Sequence, residues 1–383
     1  MSAPPSTRSV FALSCLTAQI DVHTDLPEIQ LMATRALSPN VTVHDTLLDA
    51  QVRVHVTQEP GLGLPARDSL ARLPQMWIHG DGPRFVVLEK DPDRTVLVRD
   101  SEPDSEPMLV STRPGSGDIH LTIDGELGAP TLRAVVRFLR FVVGAQLVGA
   151  GVPMHHGSSV SVDGRAVLLM GRKNSGKSTL SFLASTLAGN DFVSDDTVAT
   201  WTGDAGGLVT SGWPKRVAIS VAVLAEHPSG PRFAAAPLRR PGQPEIPLPG
   251  EVTSWALGDR RRIHVDMDEF VEYAGINAVT GVQPAAVVLP TADFRQKGWR
   301  IEDATGEGWC GEHEITNDAL RDLTDYLGLL PPAKAHRDTR AWVLAELRGL
   351  PVVRVRYGPD VNADFPAFWA EVTGAAGLPG GPR

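Results

Sequence analysis

The stretch Gly171-Arg172-Lys173-Asn174-Ser175-Gly176-Lys177-Ser178-Thr179 follows the pattern G-x-x-x-x-G-K-S. Its flanks constrain the fold further. Ala166 to Met170 reads as a short buried strand. Ser178 to Ala188 reads as a helix, with Leu180, Leu183, Ala184 and Leu187 on one face. Strand, glycine loop and helix in that order are the setting in which the pattern becomes a phosphate-binding loop. They call for an α/β domain with a mixed sheet around the loop and flanking helices.

The chemistry follows from the residue types. Gly171 and Gly176 let the backbone turn and present consecutive N–H groups to an anion without interference from a Cβ. The helix start adds partial positive charge beneath the same phosphates. Lys177 would reach the β- and γ-phosphates, and the Ser178 hydroxyl would ligate Mg²⁺.

Length and composition set the wider limits. A chain of 383 residues points to two domains. A net charge of −9 provides no phosphate-neutralising surplus, so no nucleic-acid partner is expected. The two cysteines, Cys15 and Cys310, make neither a disulfide framework nor a cysteine-rich zinc site, and read as free thiols of a reducing compartment. No apolar run reaches the length of a membrane span, and the N-terminus lacks the basic start of a signal peptide. The expected location is cytoplasmic, with no membrane partner.

Residues 1 to 128 carry β-rich runs at 51–56, 84–88, 94–98 and 118–123, and a helical pattern over 26–37. We expect a small antiparallel α+β domain there, with a role in substrate recognition. The acidic run from Asp100 to Glu106 reads as a solvated loop. Ala129 to Leu147 reads as a long helix opening the second domain, 129–373. Met154 to Gly164 reads as a strand running into an Asp-Gly turn, which makes a hairpin with the strand that feeds the loop. The stretch 190–196 reads as a strand ending in Asp195 and Asp196. Further on, 228–249 reads as an exposed loop, 316–327 and 334–347 as helices, 351–357 as a terminal strand and 365–372 as a closing helix. The tail 374–383 is expected to be disordered.

A phosphate-binding loop needs a carboxylate to hold Mg²⁺ or its waters. The apolar strand Ala285 to Leu289 ends in Pro290, not an acid, so the candidates are Asp195 and Asp196. One would position the metal and the other accept a proton from an attacking hydroxyl. His156, ahead of the hairpin, reads by itself as a structural histidine, with a place facing the γ-phosphate as the alternative. The arginines at 260–262 read either as a solvated charge run or as a cation for the transferring phosphoryl group; the sequence alone does not choose among them, and Arg262 is carried forward as the site candidate.

His156-Gly157, the hairpin, the loop and Ser194-Asp195-Asp196 together resemble the catalytic domain of the HPr kinase/phosphorylase family. That family shares its nucleotide core with phosphoenolpyruvate carboxykinases. The resemblance covers about residues 153 to 300, or to 373 at its widest, and not the N-terminal region; it is nearest to the HPr-kinase-related proteins of bacterial peptide natural-product clusters. It implies an α/β fold with a mixed-sheet P-loop core of this type behind the small α+β domain. It implies ATP binding by Gly171, Asn174, Ser175, Gly176, Lys177, Ser178 and Thr179. It also implies Asp195 as base, Asp196 as the metal-associated carboxylate beside Ser178, and His156 near the transferred phosphate. Two departures weaken the carry-over of phosphorolysis, of HPr as acceptor and of a hexamer: Thr179 stands where the bacterial enzymes have Glu, and the phosphorylase signature is missing.

The expected function is an ATP- and Mg²⁺-dependent kinase acting on a Ser or Thr hydroxyl of a peptide or small protein. A homo-oligomer stays open. Two alternatives remain: a kinase of free serine or a sugar, and a non-catalytic nucleotide-binding scaffold. No Leu-Ser-Gly-Gly-Gln signature and no Asn-Lys-x-Asp motif points to a transporter-type ATPase or a GTP switch.

Overall fold

The computed structural model describes residues 9–62, 75–77, 84–89, 94–99, 105–113, 115–203, 205–235, 261–304, 328, 330–331 and 337–378. The helix expected at 316–327, Cys310, Arg260 and most of the loop expected at 228–249 lie outside the described residues, as does the acidic run up to residue 104. The chain divides into two compact units, Met1–Val152 with Asp318–Arg337, and Pro153–Asn317 with Asp338–Arg383.

In the first unit, β1 (Ser9–Cys15) and β2 (Ala18–Thr24) form a hairpin. Helix α1 (Pro27–Leu37) and β3 (Thr42–His44) precede β4 (Val52–Gln58). A meander follows: β5 (Gln75–Trp77), β6 (Arg84–Glu89), β7 (Arg94–Arg99), β8 (Met108–Thr112) and β9 (Asp118–Ile123). Helix α2 (Ala129–Gly149) closes the unit. The described strands join in one sheet of order β3-β1-β2-β4-β9-β8-β7-β6-β5.

This sheet is mixed, not antiparallel as expected. Strand β4 runs parallel to both β2 and β9. The connection from β2 to β4 holds α1, long enough to bring the chain back in its original direction, which a hairpin turn cannot do. The long helix α2 groups with this unit, so the division falls at Val152/Pro153 and not near residue 128. Its buried face, which includes Val135, Phe138, Leu139 and Val142, packs against α1 and β2. Alternation along β4 is strict, with Val52, Val54 and Val56 buried, as a one-faced strand requires.

In the second unit, β10 (Met154–His156), β11 (Ser158–Val162) and β12 (Arg165–Leu169) lead to α3 (Lys177–Thr186). Then come β13 (Asp191–Ser194), β14 (Thr197–Thr202), β15 (Leu208–Gly212) and β16 (Val217–Ser220). Two short helices follow, α4 (Val221–Glu226) and α5 (Gly230–Ala235). The chain continues through β17 (Arg262–Val265), α6 (Met267–Ala274), β18 (Gln283–Ala292) and β19 (Trp299–Asp303). It ends with α7 (Arg337–Arg348), β20 (Val352–Tyr357), a 3-10 turn over Pro359–Asp364 and α8 (Phe365–Ala375).

The main sheet has the order β13-β11-β12-β18-β20-β19, with β12, β18 and β20 parallel and the other pairs antiparallel. It is a mixed α/β architecture. Strand β12 is apolar on both faces because both are covered. Val167 and Leu169 join Leu180, Leu183 and Phe368 of the helices on one side. Leu168 and Met170 join Val343 and Leu347 of α7 on the other. Burying each such side chain favours folding by about 1.5–3 kcal/mol.

Two details differ from the sequence reading. The strand expected from Met154 breaks at Gly157: β10 pairs with β14 in a separate sheet, and only β11 pairs with β12. The expected tail is ordered through Leu378. Helix α8 runs through Gly374 to Ala375, and Ala376 and Leu378 bury in the core while Gly377 takes φ +72. Among the described residues no helix is long and apolar enough to cross a membrane.

Candidate functional site

The site assembles where β12 ends. Asp163 and Gly164, both at positive φ, turn β11 into β12 as the Asp-Gly pair predicts. Met170 N–H still donates to Val288 O, and the chain then leaves the sheet through Gly171 at φ +133, Asn174 at φ +65 and Gly176 at φ +103. Gly176 is needed twice over. Its φ is hostile to L side chains, and a Cβ there would overlap the Tyr357 hydroxyl. That hydroxyl donates to Gly176 O at 3.3 Å, and Ala292 N–H donates to Ser175 O at 3.0 Å. The ends of β20 and β18 thus brace the glycine loop.

Lys177 opens α3 and folds back into the loop, donating from Nζ to Gly171 O and Arg172 O, each at 2.9 Å. It is only 6 % exposed, and burial pushes its ammonium down to about 8. Asp196 and Asp195 act against that shift, and Arg262 adds to it. Arg262, from β17, donates to Asn174 Oδ1 at 3.2 Å. Among the described residues the buried Ser175 hydroxyl has no hydrogen-bond partner and no side chain caps the start of α3.

The second half is the turn from β13 to β14. Asp195 is 5 % exposed and held from two sides. Its Oδ1 accepts from Ser158 Oγ at 3.1 Å and its Oδ2 accepts from Ala218 N–H at 3.1 Å, with Ser178 near enough to lower its pKa. Burial raises its carboxyl above the usual range, and these hydrogen bonds oppose that while Asp196 adds to it. Asp196 sits at φ +67 with its side chain 40 % exposed. Its Oδ2 accepts from Lys215 Nζ at 2.9 Å, and its Oδ1 lies 3.6 Å from His156 Nδ1. Its backbone oxygen accepts from Gly157 N–H at 3.2 Å. Gly157 is a close-approach residue: a Cβ would stand 2.6 Å from Met170 Sδ and 2.9 Å from Leu169 O.

The structure therefore brings Gly171, Asn174, Ser175, Gly176, Lys177, Ser178, Asp195, Asp196, His156 and Arg262 to one locality. Thr179 lies in the first turn of α3. Sequence reasoning missed Ser158, Lys215, Tyr357 and the Ala218 N–H. Ser158 and Tyr357 lie in expected strands, but strand character does not say which hydroxyl meets the loop. Lys215 had only its place in a Trp-Pro-Lys-Arg turn as a signal. Among the described residues no group of three or more His, Cys, Asp or Glu is arranged to hold a metal by itself.

No family model and no curated protein matches the sequence. Among solved structures the chain is similar to the Hpr(Ser) kinase/phosphatase from Coxiella burnetii. The identity is 12%, the match covers 57% of this chain and 87% of that chain, and the TM-score is 0.25.

Proposed function

We propose that the second unit is a Mg²⁺-dependent phosphotransferase that moves the γ-phosphoryl group of ATP to a Ser or Thr hydroxyl of a peptide or small protein. The observation that carries this reading is Lys177, folded onto the carbonyls of Gly171 and Arg172 in a glycine loop at positive φ and near enough to Asp195 and Asp196 to feel the charge of both.

The residues present suit a triphosphate and a hard cation. Positive φ at Gly171, Asn174 and Gly176, the uncapped start of α3 and the partnerless Ser175 hydroxyl are what a phosphate cradle needs. Lys177, tucked onto two loop carbonyls, is a cation within the same loop. Mg²⁺, when bound, would offset phosphate charge, with Ser178 and the aspartate pair as the groups to hold it.

Burial separates the two aspartates. Asp195 is buried with each oxygen on a protein donor, so we assign it to the surroundings of the metal beside Ser178, not to the hydroxyl proton. Asp196 is the more open carboxylate, and we assign it the hydroxyl proton. This reverses the roles that the family resemblance implies. In the step, the acceptor oxygen bonds to the γ-phosphorus and the bond from that phosphorus to the β–γ bridging oxygen breaks. The proton passes to Asp196 and ADP leaves. Arg262 adds positive charge near the transferring group, and His156 stands beside Asp196. The N-terminal unit is assigned to acceptor recognition.

The test is purified protein with Mg-ATP, scored for ADP against serine, HPr and short precursor peptides encoded beside the gene. Acceptor-dependent ADP, one added phosphate on that acceptor and loss of both in Asp196→Asn are expected. Nucleotide binding with no transfer to any acceptor, and wild-type behaviour of Asp196→Asn in partner capture, would favour the scaffold instead.

A further inference from the structure

The turn Trp213-Pro214-Lys215-Arg216 enters the site although its sequence carries no motif. Trp213 N–H donates to Thr197 O at 3.0 Å, and Lys215 N–H donates to Trp213 O at 2.7 Å. The first bond ties the turn to the residue that follows the aspartate pair, and the second closes the turn on itself. Strand β16 begins just beyond, and its Ala218 N–H holds Asp195. One short stretch therefore reaches both aspartates: a backbone N–H on Asp195 and the Lys215 ammonium on Asp196.

Asp196 needs such a hold. It is a non-glycine residue at φ +67, a conformation that persists where the surroundings over-determine it. Its side chain is open enough to solvent that an ion pair there adds little to folding. The effect of the pair is then orientation. Lys215 takes one carboxylate oxygen at 2.9 Å while His156 stands 3.6 Å from the other. Losing the ammonium removes the 2.9 Å contact on Oδ2 and with it one restraint on the carboxylate's rotamer.

We propose that Lys215 is a positioning residue of the transfer reaction, whose ammonium fixes the Asp196 carboxylate in line for the incoming hydroxyl. The inference rests on the phosphotransferase reading and adds to it a residue from outside the loop and the aspartate pair. Orientation of a reacting group is worth large factors in rate, and it acts at the transition state more than in nucleotide binding.

The experiment uses the full chain and needs no acceptor. Affinities for Mg-ADP, and for Mg-ADP with aluminium fluoride as a mimic of the transferring phosphoryl group, are measured by calorimetry. The proteins are wild type, Lys215→Met, Lys215→Arg, Asp196→Asn and the double variant Lys215→Met/Asp196→Asn. Lys215→Met should keep Mg-ADP affinity within about threefold and weaken the fluoride complex by at least about tenfold. Lys215→Arg should recover most of that loss. In the Asp196→Asn background, Lys215→Met should change the fluoride complex by less than about twofold. Equal losses on both complexes, no recovery with arginine, or full additivity with Asp196→Asn would each overturn the role of Lys215 and leave the enzyme reading standing. A wild-type protein that binds neither complex would overturn the phosphotransferase reading, and this role with it.

Discussion

Removing the Asp195 carboxyl separates its structural from its chemical work. Asp195→Ala leaves the Ala218 N–H and the Ser158 hydroxyl without their shared acceptor. An orphaned buried donor costs about 1–3 kcal/mol. The hydroxyl can rotate but the N–H cannot, so the expected loss is about 2–4 kcal/mol. Asp195→Asn should behave differently. Its Oδ1 can accept from Ala218 N–H while its Nδ2 donates to Ser158 Oγ, so the loss should stay within about 1 kcal/mol. The pH dependence has a definite sign. Burial raises the native carboxyl above its ordinary value of 3.8, so the native state binds this proton more tightly than the unfolded chain. The wild-type contribution is full below 3.8 and falls as pH rises towards the raised native value. Asparagine has no such fall, so Asp195→Asn should gain on wild type through that window. The assay is urea unfolding followed by tryptophan fluorescence from pH 4 to 8, with the second unit's transition read separately. If Asp195→Ala stays within about 1 kcal/mol of wild type, or the gap between Asp195→Asn and wild type is flat in pH, the hydrogen-bond accounting is refuted.

Three further outcomes are expected. Gly176→Ala should destabilise the second unit by about 3 kcal/mol or more, from strain at φ +103 and overlap with the Tyr357 hydroxyl. Adding Tyr357→Phe should return part of that in denaturant melts, and strict additivity would refute the overlap. In the first unit, His23, His55 and His120 stack across β2, β4 and β9 at 4.9 and 4.8 Å. Burial, then the neighbouring His120 and His23, lower His55 below its ordinary 6.5, while Asp118 opposes this. The stability tied to His55 is therefore full above 6.5 and lost as pH falls through its lowered value; His55→Gln should flatten that acid decline in melts of the full chain. Lys177, depressed to about 8, should regain its proton when a phosphate docks beside it. ADP binding at pH 8.5 should then take up protons, read as a dependence of calorimetric heat on buffer, and Lys177→Met should abolish the uptake.

Much of the site's backbone was legible along the chain. The loop announces itself because tight turns and close approach demand glycine at particular positions, as at Gly171 and Gly176. The Asp163-Gly164 turn carries its own signature for the same reason. The nearness of Asp195 and Asp196 to the loop was readable only as spacing and family likeness. Their different environments were not readable at all, since adjacent aspartates look alike in sequence and only packing makes one 5 % exposed and the other 40 %.

By itself the sequence determined a strand–loop–helix with a lysine and a serine at the helix start, an acidic pair downstream, and strands apolar enough to be covered on both faces. These are local properties, set by backbone sterics and by the period of apolar residues. Tertiary structure decided the rest. It grouped α2 with the first unit, made that unit's sheet mixed through the α1 crossover, and kept the C-terminal residues packed through Leu378. It also set Tyr357 under Gly176 and Lys215 against Asp196, pairs separated by 181 and 19 residues. No local preference encodes such contacts. The first exists because β12, β18 and β20 lie side by side and end at the same edge, and the second because β15 runs back along β14 and returns the chain to the aspartate pair.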